Sequence, residues 1–428
     1  MHKLTLSREI GFLGALSIGA GAVLGPGEYI MSGLTAAKVG PAAIISFLLA
    51  GGLMTLTALS FAELGPMFPE SGGSYHFVKK GFGPAGGFLG GWACWLGLIT
   101  ATAFYAIGAA HFISGLFLPW LPVPMLVVAI IGVFVLINIA GVEMSTAVEI
   151  FLFLSSLGII VGFAIWGAPN MKPINHDPFF VTGWSNILYT AGLITVNFAG
   201  FDLVAATAGE IKNPGRNVPL ATILSLVMMV VLVGGVIWVA TGVVNYKTMA
   251  GSSVPIAEAA RSFGGHFGFA ALSVGGILAC LTGINASVLA ASRYLFTLSR
   301  DGPLPDRISH VSRLNTPHNS VLITGLLMAL VGYFETMEGA AALTAVEYLF
   351  VFILVDLSLI LLRRRKPDLE RPFKVPGYPV TPAAGAVACG MLYFQLDIMT
   401  IMYGFGIIIG GAGLYFGLKR FGFGPRGE

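Results

Sequence analysis

Charge is what this sequence has least of. Only 10% of its 428 residues are Asp, Glu, Lys or Arg, where a soluble domain carries about 25%. A fold in water needs a polar face on each surface element, and this chain cannot furnish one. A water-soluble domain is therefore excluded, and a composition that is 56% hydrophobic excludes a disordered chain as well. Cysteine is also scarce: Cys94, Cys280 and Cys389 each stand alone in an apolar run. They form no disulfide framework and no CxxC pair for zinc, and they read as small packing residues. No Gly-Lys dipeptide occurs, which removes a P-loop and with it an ATP-driven pump; HExxH and GxSxG are missing too. The seven histidines are scattered, so neither a metal centre nor an enzyme is expected. No basic stripe suggests a nucleic-acid partner, and no ring of polar residues suggests a channel pore. No polar stretch is long enough for a second core, so residues 1–428 read as one domain.

What the chain has in abundance is apolar length. Mean hydropathy is +0.86, and a bilayer core needs about 20 apolar residues per helix. Twelve stretches qualify, near 10–33, 41–65, 85–114, 123–140, 145–167, 184–208, 219–244, 266–297, 319–334, 341–362, 379–396 and 400–418. The first continues without a cleavage-like break and is expected to remain as a helix. Lys and Arg gather in cytoplasmic loops. With the N-terminus inside, only Lys38, Lys172, Lys247 and Arg261 of the 23 basic residues fall outside. That asymmetry predicts a plasma-membrane protein with both termini cytoplasmic. The run Arg363–Lys366 is expected to be solvated and drawn to anionic lipid. Glu210, Lys212 and Arg293 with Asp301 are expected at the inner face, either as charged closures of an inner gate or as exposed topology markers of little energetic weight.

Glycine is plentiful, 58 residues in all, and two runs weaken a helix at bilayer depth. One is Gly19-Ala20-Gly21-Ala22-Val23-Leu24-Gly25-Pro26-Gly27; the other is Asn197-Phe198-Ala199-Gly200-Phe201-Asp202. Glycine loosens the hydrogen-bond ladder and proline lacks a donor. The bland reading is close helix packing. Spans one and six, however, lie five apart and cross in opposite directions. Interruptions at matching positions of two halves point to an inverted-repeat transporter. Freed N–H groups attract an anionic group, and freed carbonyls attract an ammonium or a metal cation. Together they suit a zwitterion such as an amino acid.

Four stretches carry a resemblance. Gly21-Ala-Val-Leu-Gly25-Pro-Gly27 is followed by Pro69-Glu-Ser-Gly-Gly-Ser-Tyr75 with Phe82-Gly-Pro-Ala-Gly-Gly-Phe88 and Gly91-Trp92. Next come Gly200-Phe-Asp202 with Gly209-Glu-Ile-Lys-Asn-Pro214 and Asn217-Val-Pro219, and Ala291-Ser-Arg-Tyr294 with Ser299-Arg-Asp-Gly302 and Leu304-Pro305. In this order they resemble the amino acid–polyamine–organocation superfamily. The resemblance implies an all-α membrane protein of the LeuT type. Its twelve transmembrane helices would form a 5+5 inverted repeat, 10–167 and 184–362, with discontinuous helices one and six and two further helices over 379–418. It implies a secondary amino acid carrier working by alternating access. By position, Gly25 and Gly27 would hold the substrate carboxylate and Ala20 and Gly21 the carbonyl side. Asn197, Phe198 and Gly200 would supply the helix-six contribution, with Phe198 or Phe201 as an aromatic gate.

The sequence departs from the family pattern in places. Pro26 removes one donor from the carboxylate cradle. Glu28 is open to three readings: a protonated coupling group, a partner for a cationic substrate, or a bystander in the outer vestibule. Asp202 poses the same question, with a local cap as the plainer role. The helix-five lysine of proton-coupled relatives is absent, with Ser156 in its place. Ser156 can help a Na⁺ site with Gly19, Asn285 and Ser287, or simply bond within its own helix. No cofactor is expected beyond Na⁺ or H⁺ as a coupling ion. An amine, polyamine or cationic amino acid is the alternative substrate, and a solute sensor that binds without transport is the remaining alternative. The expected partners are the small solute and membrane lipid.

Overall fold

The computed structural model describes residues 8–24, 27–70, 72–252, 254–302, 304–312 and 316–420, apart from the side chains of Glu28, Ile30 and Val196. The described chain is helical throughout, with one isolated bridge, Ile10 to Ile211, in place of any strand. In order the helices are α1 (Phe12–Val23), α2 (Ser32–Val39), α3 (Ala43–Met67), α4 (Gly73–Leu116) and α5 (Val123–Ile139). Then come α6 (Val142–Gly167), α7 (Trp184–Leu193), α8 (Phe201–Ala206), α9 (Pro214–Val243) and α10 (Tyr246–Ala250). The last five are α11 (Pro255–Asp301), α12 (His318–Phe334), α13 (Met337–Arg365), α14 (Val380–Tyr393) and α15 (Ile398–Arg420). Among the described residues, seven helical stretches are long and apolar enough to cross a membrane; α1, α5, α12 and α14 are shorter and apolar. The chain is an integral membrane protein.

Two of the longest helices are each two segments. α4 turns at Gly83 (φ 87°, ψ −179°) and α11 at Gly265 (φ 56°, ψ −145°). L-residues avoid this conformation, and glycine adopts it freely. Each turn converts a short helix into the start of a long apolar one. Despite the Pro and Gly content of 66–84, the chain is helical from Gly73 onward.

The helices are sorted by depth in the bundle. In α1 every residue from Ser17 to Val23 is buried, enclosed by α6, α8, α9 and α11. By contrast α15 buries only Ile401, Gly404, Gly411 and Tyr415. The outward faces of α5, α6, α9, α12, α14 and α15 present Leu136, Phe151, Val231, Phe334, Val387 and Ile409. Such faces suit hydrocarbon and would not be stable in water.

Two sequence expectations about charge are corrected here. Arg293 and Glu210 are not exposed: they are 0% and 1% accessible and joined by two hydrogen bonds of 2.7 and 3.0 Å. Asp301 pairs instead with Arg300, at 2.6 Å. Arg363 is not a lipid-facing charge either. It grips the fully buried Glu63 of α3 through both carboxylate oxygens. The N–H of Val375 donates to the same carboxylate at 2.6 Å, and Arg371 lies 3.3 Å from it. A carboxylate taken out of water needs such partners, and these residues supply them across distant parts of the chain.

Candidate binding site between two broken helices

The first break follows α1. The helix closes at Leu24, whose N–H donates to the Ala20 carbonyl at 2.8 Å. Gly25 and Pro26 lie outside the described residues. The chain resumes as a wide π turn, Gly27–Met31, and only then as α2. The second break follows α7. The chain tightens into a 3₁₀ turn over Ile194–Phe198, opens at Ala199 and Gly200, and restarts as the six-residue α8. Neither Gly27–Met31 nor Ile194–Phe198 is regular α-helix.

The two breaks face each other at van der Waals contact. A Cβ placed on Gly200 would stand 2.7 Å from the Gly19 carbonyl oxygen and 3.0 Å from the Val23 nitrogen. One placed on Gly27 would stand 2.5 Å from Cγ of Asn197. Only hydrogen fits at either point, so both glycines are required by this approach.

Buried polar groups line the same region. Asn197 is 3% accessible, yet neither its amide nitrogen nor its oxygen has a hydrogen-bond partner. Asp202, in the first turn of α8, is fully buried, with its carboxylate turned to backbone N–H groups of its own turn, those of Asp202 and Leu203. Buried polar groups are nearly always satisfied, so each exception calls for an explanation. The Tyr105 hydroxyl of α4 donates to the Ala22 carbonyl at 3.5 Å. Phe198 packs edge-on to Phe47 of α3, with ring centroids 6.4 Å apart. Phe201 instead joins Phe61 and Phe352, at 5.4 and 5.2 Å. Ala20 and Gly21 are buried in α1 just before the break. The backbone of Glu28 belongs to the π turn, while its side chain lies outside the description.

The four residues weighed for a cation lie on α1, α6 and α11. Ser156 gives its hydroxyl to the Phe153 carbonyl at 3.0 Å. Gly19 packs toward Val204 and Ser225. Ser287 is buried in α11. Asn285 is held elsewhere: its amide donates to the Ser145 carbonyl at 2.9 Å and to Glu149 Oε2 at 2.8 Å. Its oxygen accepts from Asn138 and Ser145, both at 3.1 Å. Among the described residues no three His, Cys, Asp or Glu side chains are placed to hold a metal ion. Sequence reading passed over Glu149, although a lone carboxylate seven residues into the apolar run of α6 was a usable signal.

Comparison with known proteins agrees in kind. The profile of a family described as amino acid permease matches residues 10–411. The branched-chain amino acid permease BcaP of Bacillus subtilis (strain 168) is 30% identical over 419 residues, which is 93% of this chain and 90% of that protein. The methylthioribose transporter of the same organism is 30% identical over 422 residues, covering 92% and 90%. Cationic amino acid transporter 3, mitochondrial, of Arabidopsis thaliana is 30% identical over 400 residues, covering 87% of this chain and 65% of that protein.

Proposed function

The chain belongs to the amino acid permease family, and from that membership we propose a secondary carrier that holds an amino acid between the two helix breaks. The protein transports amino acids and is not an enzyme. In our reading twelve spans form two inverted five-helix repeats plus two further helices, set in the plasma membrane with both termini cytoplasmic. The glycine turns at Gly83 and Gly265 support the repeat. Each stands immediately before the third apolar stretch of its half, where symmetry would put equivalent joints. Access to the site alternates between the two sides.

One observation carries the site: the Asn197 amide lies buried and unsatisfied against Gly27, between two interrupted helices. A substrate carboxylate would accept from the amide and from N–H groups of the 25–27 segment. The ammonium would take carbonyls near Ala20 and Gly21. The test is uptake into proteoliposomes across a panel of radiolabelled neutral and cationic amino acids and amines. Replacing Gly27 with Leu puts a side chain into the ligand space and is expected to abolish both binding and uptake. Full transport by Gly27→Leu would overturn the site. Binding without flux in the unaltered protein would make it a sensor.

Asp202 favours a second reading, in which the substrate is a cationic amino acid or amine. A fully buried carboxylate in the first turn after the second break would suit a second positive charge, and a cationic transporter is among the relatives. Saturable uptake of lysine that Asp202→Asn removes, leaving leucine uptake intact, would establish it.

A further inference from the structure

We propose that Glu149 is the proton-binding group that couples substrate movement to a proton gradient, a role that rests on the carrier reading above. The proposal starts from an asymmetry in one carboxylate. Glu149 is fully buried in α6. Its Oε2 accepts the Asn285 amide at 2.8 Å, and Asn285 is itself fixed by Ser145 and Asn138. Its Oε1 has no partner at all. That free oxygen is aimed at α1: a Cβ on Gly21 would stand 2.6 Å from it. The carboxylate therefore lies against the backbone of the broken helix, one turn before the break.

Among the described residues no charge balances it. Among the helices packed on α6, α1 and α5 carry no titratable side chain, and α9 has only Arg216 in its first turn. Between His266 and Arg293, α11 carries only Cys280, and α6 itself adds Glu143 in its own first turn. Among the described residues no ion pair includes Glu149. An ionised carboxylate so placed is expensive, and such residues in transporters mark ion and proton paths.

The geometry favours a proton over a metal cation. Oε2 faces an N–H donor, which repels a cation. A carboxylic acid fits without rearrangement, since its carbonyl-type oxygen accepts from Asn285 and its hydroxyl occupies Oε1. Coupling follows from position. When α1 shifts to change access, Oε1 loses or gains its cover, so the proton is taken from water on one side and returned on the other. Glu149 touches no substrate; it is a positioning and coupling residue acting through α1.

The test uses the full chain in proteoliposomes with radiolabelled leucine and lysine as probes, under proton and sodium gradients imposed separately. Glu149→Gln keeps the acceptor for Asn285 and cannot titrate. We expect it to retain counterflow, in which labelled and unlabelled substrate exchange with no ion gradient. Under a proton gradient it should lose concentrative uptake, its internal label rising no higher than the external level. Glu149→Asp should keep gradient-driven uptake with a displaced pH profile. Infrared difference spectra between high and low pH give a readout that needs no substrate: a protonated carboxyl band present in the wild type should be missing from Glu149→Gln. Identical spectra, undiminished proton-driven accumulation in Glu149→Gln, or accumulation driven by sodium alone would overturn the proposal. Absence of counterflow for every probe in the wild type would defeat the carrier reading alone, and the infrared comparison would still decide Glu149.

Discussion

Asn197 illustrates how a single side chain separates binding from folding. Its amide makes no hydrogen bond in the described structure, so removing it takes nothing from the fold that a partner would have supplied. A buried polar group left unsatisfied costs about 1–3 kcal/mol. Asn197→Leu is therefore expected to leave thermal stability unchanged or slightly raised while weakening substrate affinity by about tenfold or more, since 1.4 kcal/mol is a factor of ten. Unfolding followed by fluorescence, set beside the concentration dependence of uptake, measures both. A parallel loss of stability would show that Asn197 is structural. Two other buried carboxylates of the bundle, Asp356 and Glu347, accept from threonine hydroxyls. Thr57 donates to Asp356 at 2.8 Å and Thr100 to Glu347 at 3.1 Å. Glu149 is satisfied in the same way, by one amide on one oxygen, whereas the Asn197 amide has no partner on either atom.

At the scale of elements, breaks and turns were legible because glycine and proline act locally. The runs around Gly21–Gly27 and Asn197–Asp202 interrupt their helices in the structure, as their composition predicts. What composition cannot convey is how an interruption is shaped. A π turn after one break and a 3₁₀ turn before the other depend on what each backbone meets. The turn at Gly83 was less legible: Phe82-Gly83-Pro84 reads as loop, yet helix runs up to it and away from it. Nothing lies within 4 Å of a Cβ built there, so only the backbone conformation restricts the position. Gly83→Ala is accordingly expected to cost about 1–3 kcal/mol, seen as a lower unfolding temperature, with substrate affinity unaltered. A larger loss, or lost affinity, would mean that this joint and the site are linked.

At the scale of the whole molecule, contacts cluster at one end of the bundle. Ile10 pairs with residues 210–212, Gly72 donates to the Ala206 carbonyl, and Arg300 lies 3.7 Å from Glu70. Glu63 gathers Arg363, Arg371 and Val375 there as well. Every basic residue in these contacts was assigned to the cytoplasmic side by the distribution of Lys and Arg. The three cysteines are buried, so they give a silent background for surface labelling. Lys172→Cys and Lys247→Cys should react with a membrane-impermeant maleimide on intact cells, and Lys374→Cys only after permeabilisation. The reverse pattern would invert the topology. Removing one partner of a desolvated pair such as Arg293–Glu210 strands a charge, so this end of the bundle is held by a few pairs rather than by many weak ones.

The amino-acid sequence alone determined that the protein lives in a membrane, where its apolar stretches lie and where two helices give way. Hydropathy and backbone propensity are summed over neighbouring residues, so they can be read without knowing the fold. Only the tertiary structure decided which groups meet. Asn285 reaches Glu149 across 136 positions, Arg293 reaches Glu210 across 83, and Arg363 reaches Glu63 across 300. The worth of each charge depends on whether packing removes its water and supplies a partner. Adjacent residues carry no record of that, which is why charges that looked exposed proved buried and the uncompensated carboxylate on α6 passed unnoticed.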